Sequence, residues 1–262
     1  MSVLSEWDII NELGRGLFIY PFRGKEKSIR GCCLCLTASR YAYIFDSQTQ
    51  PKEPTRLNIQ QDDSSGRNYF TIPKRKTAVV WTNESVLLGN YLCGSIHSKV
   101  SLVSKGIGHI GTRVNPNYGG VMAIALHNLS DEDVQIDVGK NDEDSGETIA
   151  YLRIYRLSSP SSFSERRDPA GKLKDAIPPG FHHPPELNTW LDQETWRNGE
   201  KDAIERELKD SKKYKDAKKE LAKKSIRYRF FFKYLPEWDT SIWVQIIIAV
   251  VAAIGVIVAI VK

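Results

Sequence analysis

The spacing of apolar positions changes along the chain, and each texture predicts a different kind of element. In "LSEWDIINELGRG" the apolar Trp7, Ile10 and Leu13 fall at helical intervals behind Ser5, with Asp8 three places on and Gly14 after them. That is the pattern of a capped helix that stops at a glycine. From about Phe18 to Leu157 the texture becomes short apolar or alternating runs divided by turn residues, among them "CCLCL", "YAYIF", "TAVVWT", "VMAIALHN" and "TIAYLRIYRL". Many short strands at this spacing predict a mainly β domain, a barrel or a sandwich, over residues 1–157. In the last run Ala150, Leu152 and Ile154 are expected on one face and Ile149, Tyr151, Arg153 and Tyr155 on the other, because strand side chains alternate.

After Leu157 the pattern dissolves. "SSPSSFSERRDPAGK" and "IPPGFHHPPE" are rich in Ser and Pro and predict a linker or surface arm over 158–190. Helical texture begins near Glu186, and over 191–238 Ile204, Leu208, Tyr214, Ala217 and Leu221 draw a thin apolar stripe along a heavily charged stretch. This suits a helical juxtamembrane stalk or a weak bundle and not a second core. Then comes an uncharged apolar run, Ile242 to Val261. At about 1.5 Å per residue in a helix it reaches about 30 Å, the thickness of a bilayer's hydrocarbon core. One C-terminal transmembrane helix is therefore expected.

Charge orients that helix. Between Lys209 and Lys233 there are 11 Lys/Arg against 3 Asp/Glu, while only Lys262 follows the run. The positive flank belongs on the cytoplasmic side, so the N-terminal domain is expected there, tail-anchored by a single pass. Phe230, Phe231, Phe232, Tyr234, Trp238 and Trp243 suit the headgroup layer. A basic run abutting an apolar span attracts anionic membrane lipid by about 1 kcal/mol per near-surface charge, and its place beside the span favours lipid over nucleic acid as its partner. Within the span, Ala249 with Ala253 and Gly255 with Ala259 place small residues four apart, which lets helices approach closely in lipid.

Metal chemistry finds little support. Cys32, Cys33 and Cys35 crowd one apolar run and Cys93 stands far away, without the paired spacing of a zinc site. His182 and His183 are adjacent and proline-flanked, and the acidic "KNDEDSGE" lacks the spacing of a calcium loop. No metal site is expected.

Four segments, in order, carry a family resemblance. They are "LSEWDIINELGRGLFIYPF", "VLLGNYLCGSIHSKVSLVSKGIG", "VNPNYGGVMAIALHN" and "GETIAYLRIYRL". Together they resemble the dCTP deaminase and dUTPase family, and more closely its deaminase branch: an opening helix and strand, an Arg-Ser-Ser-Leu-Ala-Arg-x-Gly signature, an Ile-Asp-Pro-Gly-(aromatic)-x-Gly turn with its following strand, and a closing strand. The resemblance implies a distorted β-barrel that assembles as a homotrimer, with nucleotide sites between subunits.

It also implies chemistry that these residues do not carry. The strand Glu that moves protons in the deaminase branch falls at Ala125, and a methyl group transfers no proton. The turn Asp falls at Asn115, whose amide can orient a ligand but is no base. The signature's first Ser falls at Val100 and its second Arg at Ser104. What survives is of a binding type: Lys99 at the first Arg, Ser101 at the second Ser, Lys105 and Arg113 as nearby cations, Tyr118 as the turn aromatic, and Gly106, Gly119 and Gly120. Lys99 keeps the charge and loses the bidentate fork. The family also reads its base through main-chain groups of a hairpin, and Mg²⁺ is expected only alongside a bound nucleoside triphosphate. The expectation is a membrane-anchored pseudoenzyme that binds a nucleotide-type ligand and acts as a sensor or membrane effector, suited to bacterial stress or antiviral defence. The alternatives are a trimeric scaffold that binds nothing, and an active dCTP deaminase or dUTP diphosphatase with an atypical site. His127, on the same strand face as Ala125, is the candidate acid–base group of that last reading.

Overall fold

Ser5 opens the first helix, α1 (Glu6–Glu12), in the manner its spacing predicts. Its hydroxyl accepts from the Asp8 N–H at 3.3 Å, and the Asp8 carboxylate accepts from the Ser5 N–H at 3.2 Å, a reciprocal capping box. Gly14, in the left-handed region at φ +76, follows its end. The computed structural model describes residues 1–45, 53–139, 146–161, 177–178, 180–193 and 196–223.

The strands are β1 (Ser2–Val3), β2 (Leu17–Tyr20), β3 (Ile29–Arg30), β4 (Cys33–Ile44), β5 (Thr55–Arg56), β6 (Gln60–Gln61), β7 (Asn68–Ile72), β8 (Thr77–Leu88), β9 (Leu92–Ser98), β10 (Ile107–Gly108), β11 (Arg113–Val114), β12 (Gly119–Asn128), β13 (Val134–Gly139) and β14 (Thr148–Arg156). Short helices α2 (Lys25–Ser28) and α3 (Val100–Val103) interrupt them, and α4 (Pro185–Gln193), α5 (Lys201–Asp210) and α6 (Lys212–Lys223) come after. The fold is mainly β. One sheet of eleven strands runs β10-β12-β8-β4-β14-β9-β11, with β1, β2, β3 and β5 attached to its members, and β13-β7-β6 form a second.

The two long strands give the large sheet its curl. β4 pairs with β14 through Cys33–Thr37, then with β8 from Ala38 to Ile44, and its register slips between Ala38 and Ala42. β8 in turn leaves β4 after Thr82 and takes up β2 from Ser85 to Leu88. A strand that changes partners at a bulge must bend, and the sheet bends with it. Under the bend, Arg23 and Glu84 form a buried ion pair, and the Glu84 carboxylate also accepts from the Thr37 N–H and hydroxyl, each at 2.7 Å. On β14 the expected alternation holds for Leu152 and Ile154 against Tyr151, Arg153 and Tyr155, but Ile149 is buried as well. The reason is a register slip between Thr148 and Ala150, which puts Ile149 in a bulge. Cys33 and Cys35 are buried, all four cysteines are free thiols, and burial pushes the Cys35 thiol up to about 11, with Glu84 adding to it.

Part of the segment expected as a stalk over 191–238, together with the helix before it, packs with the sheets. Residues 185–218 lie in one compact unit with the sheets, Met1–Lys218, the other unit being Lys219–Lys262. α4 buries Leu187, Trp190 and Leu191 against Tyr43, Trp81 and Val121 of the sheet, with Trp190 stacked on Tyr41 at 4.4 Å. α5 buries Ala203, Ile204 and Leu208 and packs on β2 and β8. Lys218, on α6, donates to the carbonyls of Ile10 and Asn11 at 2.8 and 3.0 Å. The stripe is too thin to build a core alone, and its Ile204 and Leu208 are buried on the helix that packs on the sheet. The predicted linker or surface arm over 158–190 therefore ends in a docked helix, Pro185–Gln193.

The run 242–261, with Ala249, Ala253, Gly255 and Ala259, lies outside the described residues, as do acidic-loop residues 140–145. Among the described residues no helix is long and apolar enough to cross a membrane.

Candidate functional site

The Asn115–Tyr118 segment is a tight turn: the Tyr118 N–H donates to the Asn115 carbonyl at 3.3 Å, and Asn117 takes φ +63 behind Pro116. Proline second and a positive φ third is the geometry of a type II turn. From it β12 runs along β8, with Ala123 opposite Trp81, Ala125 opposite Val79 and His127 opposite Thr77. Met122, Ile124, Leu126 and Asn128 are buried, whereas Ala123, Ala125 and His127 are half-buried on the other face. Ala125 thus occupies the more open face of the strand, with an apolar residue across from it. The His127 Nδ1 is 2.8 Å from the Thr77 hydroxyl, so that nitrogen already has a partner.

The arm covers part of this face and of the turn. Ala123 and Val79 pack on the cluster that holds α4's Leu187, Trp190 and Leu191. Further on, the Val121 N–H donates to the Arg197 carbonyl at 3.3 Å, and the Tyr118 hydroxyl donates to the Val121 carbonyl at 2.6 Å. Burial pushes the Tyr118 phenol up. Both main-chain groups of Val121 are therefore engaged within the chain, although the hairpin backbone is what the resemblance assigns to base reading.

The signature residues lie elsewhere. Lys99 precedes α3 and pairs with Glu147 at 2.9 Å. Val100, Ser101, Ser104 and Lys105 are exposed, and the Ser104 hydroxyl donates to the Ser101 carbonyl at 3.0 Å. Lys105 and Ser104 border a cavity that Asp131, Glu132 and Asp133 also line, an acidic setting for an anion. Gly106 sits at φ +82, and a Cβ there would meet the Ser130 Cβ at 2.8 Å, so the retained glycine has a steric reason. Arg113 is exposed on β11 opposite Ser95.

These residues form two groups. Val114 pairs with Gly94, four residues before the end of β9 that leads to Lys99. At about 3.3 Å per strand residue this separates the turn from α3 by more than 10 Å. Along β12, six residues part Gly119 from Ala125, about 20 Å at the same rise. Ala125 is at the α3 end, since Gly108, just past α3, pairs with His127. One chain therefore brings Ala125 towards Ser104 and Lys105 and holds Asn115 and Tyr118 at the far end.

A histidine group was not singled out from the sequence. The His109 Nδ1 is 2.9 Å from the Ser98 hydroxyl, and the His97 Nε2 is 2.7 Å from the Ser95 hydroxyl, which is itself 2.9 Å from the Tyr155 hydroxyl. Burial pushes His109 down, helped by the neighbouring His97 and His127, while its hydrogen bond with the Ile96 backbone opposes the shift. The signal available in sequence was the alternation of Ser95, His97 and the strand around them, which puts both on one face. Among the described residues no group of three or more His, Cys, Asp or Glu is placed to hold a metal ion.

No family model matches the chain. A dCTP deaminase of Thermococcus kodakarensis is 26% identical over 159 residues, which are 61% of this chain and 86% of that protein. Among solved structures, a 2'-deoxycytidine 5'-triphosphate deaminase from Agrobacterium tumefaciens is 13% identical with a TM-score of 0.42, over 66% of this chain and 51% of that one. The EIAV dUTPase is 18% identical with a TM-score of 0.29, over 41% of this chain and 89% of that one. Through the sequence match, and not through these distant structural likenesses, the chain is similar to dCTP deaminases.

Proposed function

We propose that this chain is a membrane-anchored pseudoenzyme of the dCTP deaminase and dUTPase kind, which binds a nucleotide-type ligand and acts as a sensor or membrane effector. The observation that carries the reading is Ala125, a methyl group on the open face of β12 opposite Val79. A deaminase needs a group there that takes up and returns a proton. Asn115 supplies no base at the turn either. Exposed Ser101, Lys105 and Arg113 support retained binding, since their side chains are open to a ligand phosphate. Assembly as a homotrimer and anchoring by residues 242–261 belong to the same proposal, as does a role in bacterial stress or antiviral defence.

The test is an activity assay beside calorimetry on the purified full chain with Mg²⁺. No ammonia from dCTP and no pyrophosphate from dUTP is expected, with saturable heat from at least one of them. Turnover that His127→Ala abolishes would make the chain an enzyme. The scaffold reading draws on the engaged groups of Val121 and the Lys99–Glu147 pair. It expects no heat and no effect of Lys99→Ala or Ser101→Ala.

A further inference from the structure

Between the sheet and the arm lies a cavity of about 840 Å³, and none of the residues assigned by the resemblance lines it. Its sheet wall is Tyr20–Arg23 with the β4 bulge Ser39–Tyr41, and its arm wall is Trp190, Trp196, Arg197 and the α5–α6 junction. The volume is in the range of about 300–1,000 Å³ that small-molecule pockets occupy.

The walls combine flat rings with fixed positive charge. Trp190 stacks on Tyr41, and Trp196 stands edge-on to Tyr20 at 4.9 Å. The buried Arg197 guanidinium lies between the two indoles, 4.9 Å from Trp190 and 4.5 Å from Trp196. A guanidinium held between aromatic faces is oriented before a ligand arrives. Arg23, only 7% exposed, gives one Nη to Glu84 and Thr37, while its buried Nε has no hydrogen-bond partner. Such an orphan donor is costly unless something accepts from it. At the junction, the twelve-residue helix α6 begins with the exposed Lys212 and Lys213, with no acidic residue in its first turn. The amide end of a helix and two ammonium groups attract the same kind of partner, an anion. Gly24 lies 4.0 Å from the Lys213 stem, measured from where its Cβ would be, so this helix end sits directly beside the Arg23 segment. Glu207 and Asp210 also line the space. They suit ligand hydroxyl or amine donors and disfavour a heavily charged polyphosphate.

We propose that this cavity is a second binding site, for an aromatic ring that carries one phosphate, of the size and chemistry of a nucleoside monophosphate. The ring packs against the edge-on Tyr20–Trp196 pair, Arg197 and the Lys212–Lys213 helix end take the phosphate, and Glu207 and Asp210 take sugar hydroxyls. The site rests on the reading above in the choice of nucleotides as probes and of nanodiscs as the medium.

The experiment is a tryptophan-fluorescence titration of the full chain in lipid nanodiscs with dCMP, AMP and inorganic phosphate, carried to about a millimolar, the weak end of specific affinity. A saturable quench is expected with a nucleoside monophosphate, with inorganic phosphate at least about tenfold weaker. The double variant Lys212→Glu/Lys213→Glu is expected to lose at least about tenfold in affinity, while acids in a first helical turn suit the helix dipole and keep α6 folded. Ile110→Ala, at an exposed position outside the cavity lining, is expected to leave the quench unchanged. No saturable binding, binding indifferent to the lysine double variant, or phosphate binding as tight as nucleotide would each overturn the proposal. Binding that instead falls with Asn115→Ala places the ligand at the turn, which upholds the proposed function and overturns this site.

Discussion

Lys218 holds a charged amine against the end of α1, where its Nζ reaches the carbonyls of Ile10 and Asn11. Burial lowers its pKa to about 8, Arg15 adds to the effect, and Glu12 opposes it. The ordinary lysine value lies near 10.5, so between about 8 and 10.5 the unfolded chain binds a proton that the folded chain has released. Stability therefore rises with pH across that window, as the burial penalty on the charged amine disappears, and is flat with respect to this group below it. Urea midpoints measured from pH 7 to 10.5 are expected to climb in the parent chain, and Lys218→Gln is expected to remove that climb. At this scale the sequence was partly legible. That Ala125 carries no proton is a property of the residue itself. That Lys99 faces Glu147, 48 positions away, required the pairing of β9 with β14.

At the scale of elements, α1 was readable because its cap, its box and its terminal glycine are all local. The arm was only half readable. Apolar spacing shows that a stripe exists and says nothing of the surface it meets, and that surface is assembled from β4, β8 and β12. Gly199 is the narrowest point of the docking. Its φ is +76, and a Cβ there would lie 2.3 Å from the Gly119 carbonyl carbon and 2.7 Å from the Gly120 nitrogen, both backbone atoms that cannot swing aside. Gly199→Ala is accordingly expected to lift residues 196–204 off the turn while β8 and β12 stay paired. Hydrogen–deuterium exchange reads this directly: protection falls at Val121 and along α5 and persists at Trp81 and Ile124. Uniform loss of protection would mean that the arm is part of the folding core and not an element laid on it.

At the scale of the whole molecule, the decisive fact is the distance between the two groups of candidate residues. Asn115 and Tyr118 stand at one end of β12, and Ser101, Ser104 and Lys105 gather near its other end. Side chains that far apart do not meet around one phosphate, and under the proposed function a site built from both takes the turn of one copy and the α3 region of another. In the proposed trimer each of the three sites is such a composite. A mixing experiment follows from that geometry. Ser101→Glu places a carboxylate at the exposed phosphate position, and Asn115→Ala removes the turn amide; each homogeneous oligomer is expected to lose dCTP binding. When the two variants are co-expressed in equal amounts and assemble at random, a site receives an intact turn from one copy and an intact α3 region from its neighbour in about a quarter of cases. Calorimetry of the mixed oligomer with dCTP is expected to recover that fraction of the parent's binding capacity, at the parent's affinity. Recovery of nothing would mean that both groups serve a site within one chain or no site at all, and the composite arrangement would have to be abandoned.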